Sequence, residues 1–422
     1  MDDSHEKLSI RSILSNRRFW AFFGTGLIVS VAYMDPGNWG TSISAGASYD
    51  YALIWAIWFS SGAAMLFQYI SGKMGIAGHT IGDLIRERWR DKRLVFIYWL
   101  LAEIAILATD LAEFLGIVVA LHLLFGVPYV IGAVIAVADV LLLLYLSNRN
   151  FRLLEYAFIL FVGVIGLAYV YELFITKPDA GAIAAASFNP LLTPETALLV
   201  VGIIGATVMP HALFVHSWLM KNKVLSESSR GLGKRTLLHF HTVEIVAALL
   251  IASFVNAAIL IMSAAAFHAN GIPVATIEDA YRTLTPLFGA LASFVFAVAL
   301  LSSGISSSIT GTLAGVSIME TLTDFKLSPV MRRIITRVIN IIPTLIALYA
   351  GIEPLKILVL SQVILSLMIP LPLIPLIYYA GKKEVMGEFV NRKMTTVAAA
   401  ILAAIILVFN IYLLYVTFFA GG

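Results

Sequence analysis

Eleven stretches of mostly apolar residues follow one another along this chain, separated only by short polar linkers. A helix that crosses a bilayer needs about 20 such residues, and the stretches lie near 19–48, 51–76, 94–123, 127–147, 152–175, 195–220, 239–267, 284–321, 332–351, 354–380 and 394–419. In hydrocarbon every backbone polar group must be paired inside the protein, which leaves only helices or closed barrels. Continuous runs of this length read as helices. Of the 422 residues 60% are hydrophobic and 13% charged, against about 25% charged in a typical soluble domain. The expected class is therefore all-α integral membrane, with 1–18 as a polar N-terminal tail.

The basic residues give the orientation, because linkers on the cytoplasmic side are enriched in Lys and Arg. With the N-terminus inside, 25 of the 28 Lys and Arg residues fall on the cytoplasmic side. Only Lys177, Arg282 and Lys356 fall outside. Eleven spans then put the C-terminus outside. The first span lacks a compact apolar run ending in a small-residue cleavage site, so it is expected to remain as a span and not be removed as a signal peptide. The net charge of +3 is too even for a nucleic-acid footprint. Without cysteine, any bound metal has to be held by oxygen, imidazole or thioether.

Two spans are interrupted. Span one carries Asp35-Pro36-Gly37-Asn38, and span six carries Met209-Pro210-His211 with Gly202 and Gly205 upstream. Proline removes a backbone donor and clashes with the preceding turn, so both helices are expected to unwind near mid-membrane. Spans one and six run in opposite directions, five helices apart. That pattern marks an inverted five-plus-five repeat with its substrate site at the paired breaks. The first repeat is read as 19–175 (helices 1–5), the second as 195–380 (helices 6–10), and 394–419 as an added eleventh helix.

A lone proline kink is ordinary packing; two at matching positions, each with a polar or coordinating residue, point to a site. Asp35 at this depth costs roughly 2.5–3.5 kcal/mol on insertion scales and needs a partner. Asp35 and Asn38 offer a carboxylate and an amide oxygen, Ala206 a freed carbonyl, and Met209 a thioether. Thioether sulfur favours softer transition metals over calcium and magnesium, which suits Mn²⁺, Fe²⁺ or Cd²⁺. Met209 taken alone reads more readily as a filler of irregular core space than as a ligand.

These motifs closely resemble the Nramp family of divalent transition-metal transporters. The resemblance rests on Asp35-Pro36-Gly37-Asn38 together with Ala206-Thr207-Val208-Met209-Pro210-His211. It extends to Ala108-Thr109-Asp110-Leu111-Ala112-Glu113-Phe114 in span three and Gly311-Thr312 in span eight, and it covers nearly the whole chain. It implies a LeuT-like fold of ten core helices plus one, importing manganese or iron with protons by alternating access. The metal ligands it implies are Asp35, Asn38, the Ala206 carbonyl and the Met209 sulfur, with Gln362 in span ten as a further ligand. The chain departs from the family in span eight, where Gly304-Ile305-Ser306-Ser307 stands for Gly-Gln-Ser-Ser and an amide is lost.

Span three places Glu103, Asp110 and Glu113 at spacings of seven and three, on one helical face. Carboxylates in such a row mark either a proton relay or the wall of a wet vestibule. By resemblance Asp110 and Glu113 match proton-pathway positions. His211 beside the break is either a packing residue or a proton carrier, as imidazole exchanges protons in the physiological range. The expected route leaves the Asp35 region through His211 to Glu113 and Asp110. Arg332 and Arg333 match family arginines at its inner end, and fit positive-inside anchors as well. His216, seven residues after Met209, falls on the same face and lines the inner vestibule in this reading. His239 and His241 are expected at the membrane surface.

Other classes fit less well. A sodium-coupled amino-acid transporter shares the broken helices, but Asp35 would repel a substrate carboxylate. Neither H-E-x-x-H nor a Walker-type phosphate loop is present, so neither a metalloenzyme nor a nucleotide-driven motor is expected. One asymmetric site does not suggest a channel. The expectation is a non-enzymatic, proton-coupled importer of Mn²⁺, also Fe²⁺ and Cd²⁺, monomeric, without a cofactor, in a bacterial plasma membrane. The alternatives are an Nramp-related magnesium transporter, against which Met209 weighs, and an uncoupled divalent-metal uniporter.

Overall fold

A computed structural model describes residues 19, 24–138, 151–228, 232–274, 276–323 and 325–419. The expected tail 1–18, the end of span four (139–147) and Arg149 lie outside the described residues. Among the described residues the structure is helical throughout, without a strand. The helices are α1 (Thr25–Ala32), α2 (Pro36–Tyr49), α3 (Ile54–Ala77), α4 (Ile81–Arg88), α5 (Lys92–Phe125), α6 (Tyr129–Ala136), α7 (Phe151–Thr176), α8 (Ala180–Ser187) and α9 (Pro194–Val208). They continue as α10 (Pro210–Ser228), α11 (Lys234–Ala266), α12 (Ile277–Phe288), α13 (Ala290–Thr323), α14 (Pro329–Tyr349), α15 (Pro354–Met368), α16 (Pro370–Ala380), α17 (Lys383–Met386) and α18 (Lys393–Phe419).

Among the described residues, seven helical segments, 92–125, 159–176, 194–225, 234–270, 290–323, 354–380 and 393–419, are long and apolar enough to cross a membrane. The remaining expected spans fall outside this group by length or by composition. Span one is split into the short α1 and α2, α3 is rich in Gly and Ser, the described part of span four holds only the short α6, and α14 carries Arg332, Arg333 and Arg337.

The sequence boundaries shift where local chemistry intervenes. Span eight was placed from 284, but Gly289 at φ +91° separates α12 from α13. A capping box closes the start of α12, with Thr276 N donating to Asp279 Oδ2 at 3.0 Å and Asp279 N to Thr276 Oγ1 at 2.9 Å. Span ten is divided at Ile369 by Pro370.

Packing sets the two broken helices at the centre. In the apolar window of α9–α10, 94% of residues are buried, against 28% in α18, which lies at the periphery. Around this core α13 packs along α5, α10 against α3, α11 against α2 and α3, and α9 against α15.

Candidate metal site and its polar surroundings

Both breaks form where proline forces them. α1 ends at Ala32, Asp35 becomes the N-cap of α2 and Pro36 takes its first position, where a missing N–H costs nothing. In the second break Met209 follows α9 with φ +46° and Pro210 starts α10. A left-handed backbone at a non-glycine residue is strained by about 1–3 kcal/mol and persists only where the surroundings enforce it. Met209 is fully buried.

The breaks meet at the Asn38 side chain. Its Nδ2 donates to Asp35 Oδ1 at 2.8 Å and to the Ala206 carbonyl at 2.9 Å. One amide nitrogen thus lies between a carboxylate oxygen of the first break and a backbone oxygen from the second. Asp35 Oδ1 also accepts from Asn38 N at 2.8 Å. Asp35 Oδ2, Thr207 Oγ1, Gln362 Oε1 and His211 Nε2 are buried without a hydrogen-bond partner among the described residues. Gln362 comes against this group because residue 37 is glycine: a Cβ there would overlap the Gln362 side-chain amide. Asp35, Asn38, Ala206 and Gln362 are therefore brought together.

A cation would put one positive charge centre where the Asn38 amide now joins two acceptors, with Asn38 turned to present Oδ1. That oxygen currently accepts from Asn256 Nδ2 at 3.2 Å, and the same Nδ2 donates to the Tyr33 carbonyl at 2.7 Å. Asn256 was not foreseen; an asparagine in the middle of apolar span seven was the available signal. Among the described residues no three His, Asp or Glu side chains cluster as a metal site. The polar groups gathered at the breaks are one carboxylate, two side-chain amides and a backbone carbonyl.

A second group of charges lies between α5 and α14. Arg333 pairs with Asp110 and stands 3.7 Å from Glu113 Oε2, while Arg337 Nη1 lies 3.6 Å from Asp110 Oδ1. Asn340 Nδ2 donates to Asp110 Oδ2 at 2.8 Å, and Arg332 pairs with Glu103. Arg332 and Arg333 are both buried and pair with carboxylates inside the protein. Arg337 and Asn340 were missed, although 333, 337 and 340 share a helical face. His211 links this group to the breaks: its Nδ1 lies 3.0 Å from Thr109 Oγ1, next to Asp110. The Thr109 hydroxyl also reaches the Ala105 carbonyl at 3.0 Å. With the hydroxyl hydrogen there, Nδ1 donates and the unpartnered Nε2 carries the lone pair.

His216 belongs elsewhere. Its Nδ1 meets Gln68 Oε1 at 2.7 Å, and Gln68 Nε2 donates to Tyr33 Oη at 2.9 Å. The expectation for His241 is corrected. It is fully buried, its ring 4.9 Å from that of His216 and stacked on Tyr69, whereas His239 is exposed. α11 extends inward past the expected span start, to Lys234, and carries His241 into the packed interface with α3.

The profile of the natural resistance-associated macrophage protein-like family, Nramp, matches residues 26–416. The chain belongs to the Nramp family. Among its Nramp relatives, the divalent metal cation transporter MntH of Granulibacter bethesdensis is 42% identical over 414 residues, 97% of this chain and 92% of that protein. The manganese transporter of Eremococcus coleocola, solved with an aromatic bis-isothiourea substituted compound, is 33% identical with a TM-score of 0.82 over 94% of this chain and 87% of that one. Mhp1, a nucleobase-cation-symport-1 family transporter in a closed conformation, shares the fold alone, at 14% identity and a TM-score of 0.60 over 94% of this chain and 89% of that one. The architecture is thus the LeuT-like membrane fold that the family resemblance implied. At the Nramp departure in span eight, Ile305 packs against the apolar cluster of Phe114 and Ile117, so this position faces the α5 interface.

Proposed function

We propose that this Nramp chain imports Mn²⁺, and also Fe²⁺ and Cd²⁺, with protons, by alternating access around the two breaks. The observation that carries the reading is the Asn38 amide held between Asp35 and the Ala206 carbonyl, at 2.8 and 2.9 Å. Oxygens from two broken helices converge there on one point. Asp35, Asn38, the Ala206 carbonyl, the Met209 thioether and, in one conformation, Gln362 hold the metal as substrate. The thioether supplies the preference for a transition metal over Ca²⁺ and Mg²⁺. The names of the relatives, divalent metal cation and manganese transporters, support the same substrate class.

Protons leave the Asp35 region through His211 and pass to Glu113 and Asp110, with Arg333 and Arg332 at the inner end. The His211–Thr109 contact supports this order. His216 lines the inner path on the Gln68 side. The protein is read as a monomer in a bacterial plasma membrane, with eleven spans, a cytoplasmic N-terminus, an outer C-terminus and repeats at 19–175 and 195–380.

The test is Mn²⁺ uptake into proteoliposomes under a large excess of Mg²⁺ or Ca²⁺, with a pH dye inside the vesicles. Uptake that resists competition and acidifies the lumen is expected. Competition by Mg²⁺ would reject the role of Met209, and uptake without acidification would reject proton coupling in favour of a uniporter.

A further inference from the structure

The start of α1 is completed by a residue far away in sequence. Gly24, its N-cap, has no side chain to offer, and the first N–H groups of a helix lack partners within it. Glu244 of α11 supplies the acceptors: Oε1 takes Gly24 N at 2.6 Å and Gly26 N at 2.8 Å, and Oε2 takes Thr25 Oγ1 at 3.3 Å. The side chain is fully buried. A Cβ at residue 26 would lie 2.8 Å from Glu244 Cγ, so the carboxylate reaches this turn because residue 26 is glycine. An anion at a helix N-terminus is favoured by the helix dipole, and its hydrogen bonds are charge-assisted.

α1 is the half-helix that leads into the Asp35 break. At its tip the Thr25 hydroxyl also lies 3.3 Å from Met220 Sδ of α10; its further ties lie along its length or near the break: Thr310 Oγ1 to the Ile28 carbonyl at 3.1 Å, Ser303 to the Met34 carbonyl, and Asn256 Nδ2 to the Tyr33 carbonyl at 2.7 Å. The Glu244 contact sits at the opposite end. If α1 pivots at the break, this end travels furthest, because the helix is a lever of roughly 12 Å at 1.5 Å per residue. A bond at the tip of a lever governs its motion more than one at the hinge. The geometry points to Glu244 as a positioning residue that latches α1 onto α11, so that the inward path opens only when this carboxylate gives up its three donors. The inference rests on the alternating-access reading above, in which α1 moves.

The chain has no cysteine, so a single Val29→Cys on α1, at a fully buried position, reports exposure without further engineering. The rate of modification by a small thiol reagent is measured on purified protein without metal flux. Glu244→Ala and Glu244→Gln are each expected to raise it by about tenfold or more, the loss of charged hydrogen bonds being worth at least that ratio. Glu244→Asp, which keeps the charge on a shorter stem, is expected between them and the parent. Ser263→Ala removes a different buried tie of α11, Ser263 Oγ to the Ile43 carbonyl at 2.8 Å, and is expected to leave the rate unchanged. An unchanged rate in Glu244→Gln protein that binds Mn²⁺ with parental affinity would overturn the latch, as would an equal rise in Ser263→Ala. Should Glu244→Ala fail to fold, Glu244→Gln decides. Labelling that depends on Glu244 in a protein that takes up no metal would keep the latch and reject the importer.

Discussion

Asn410 of α18 donates its amide to the Ser366 carbonyl at 2.8 Å and accepts the Ser366 hydroxyl on Oδ1 at 2.7 Å. In an unbroken helix that carbonyl would pair with the N–H of residue 370, which is proline and has none. A tighter turn brings Ile369 N to it at 3.1 Å, and Asn410 supplies the second donor. The last helix is thereby fastened to the kink one turn beyond Gln362. Asn410→Leu removes both bonds and is expected to destabilise the protein by about 1–3 kcal/mol, read by thermal unfolding in detergent. A midpoint equal to the parent's would show that the kink needs no support from α18.

Asp35 carries the one formal charge in the proposed ligand set. Asp35→Ala is expected to abolish Mn²⁺ binding in calorimetry. Residual binding within about tenfold of the parent would mean that the metal sits elsewhere.

Met209→Ala is expected to retain part of the Mn²⁺ uptake while losing resistance to Ca²⁺ and Mg²⁺, because hard oxygen donors remain when the soft sulfur is gone. Competition assays with each ion check this. Unaltered selectivity would leave Met209 as a core filler held at φ +46° for packing alone.

Breaking the buried Asp110–Arg333 pair from one side leaves a charge without its first partner, a loss of about 3–5 kcal/mol. Arg337 and Asn340 remain beside Asp110, so Arg333→Ala should fall at the lower end of that range. The double variant Asp110→Asn with Arg333→Gln should lose less than the two single losses combined. Additivity within about 0.5 kcal/mol in a denaturation cycle would show that the pair is uncoupled.

Gly311 faces the Glu113 carboxylate so closely that a Cβ would lie 2.8 Å from both oxygens. Gly311→Ala should displace that carboxylate and weaken proton flux, and Glu113→Gln should do the same, with Mn²⁺ affinity preserved in both. Full acidification of the vesicle lumen by Glu113→Gln would remove this residue from the route.

Local chemistry was legible along the chain. The apolar runs specified helices, and Pro36 and Pro210 specified where two of them break, because a missing N–H acts on its own turn wherever that turn is placed. The family pattern also named Asp35, Asn38, Ala206, Met209 and Gln362 as a set. Only the tertiary structure decided which atoms meet. Asn38 and Ala206 are 168 positions apart, and their contact exists because α2 and α9 pack together at the centre. Arg332 and Arg333 show the limit most clearly: an arginine near the inner end of a span reads the same whether it anchors at the surface or pairs inside. Packing of α14 on α5 chose the second by bringing Glu103 and Asp110 within reach. His241 was misplaced for the same reason. Sequence hydropathy measures the transfer of one segment out of water, whereas burial of a polar side chain depends on which neighbour supplies its partner, and that is set by helices distant in the chain.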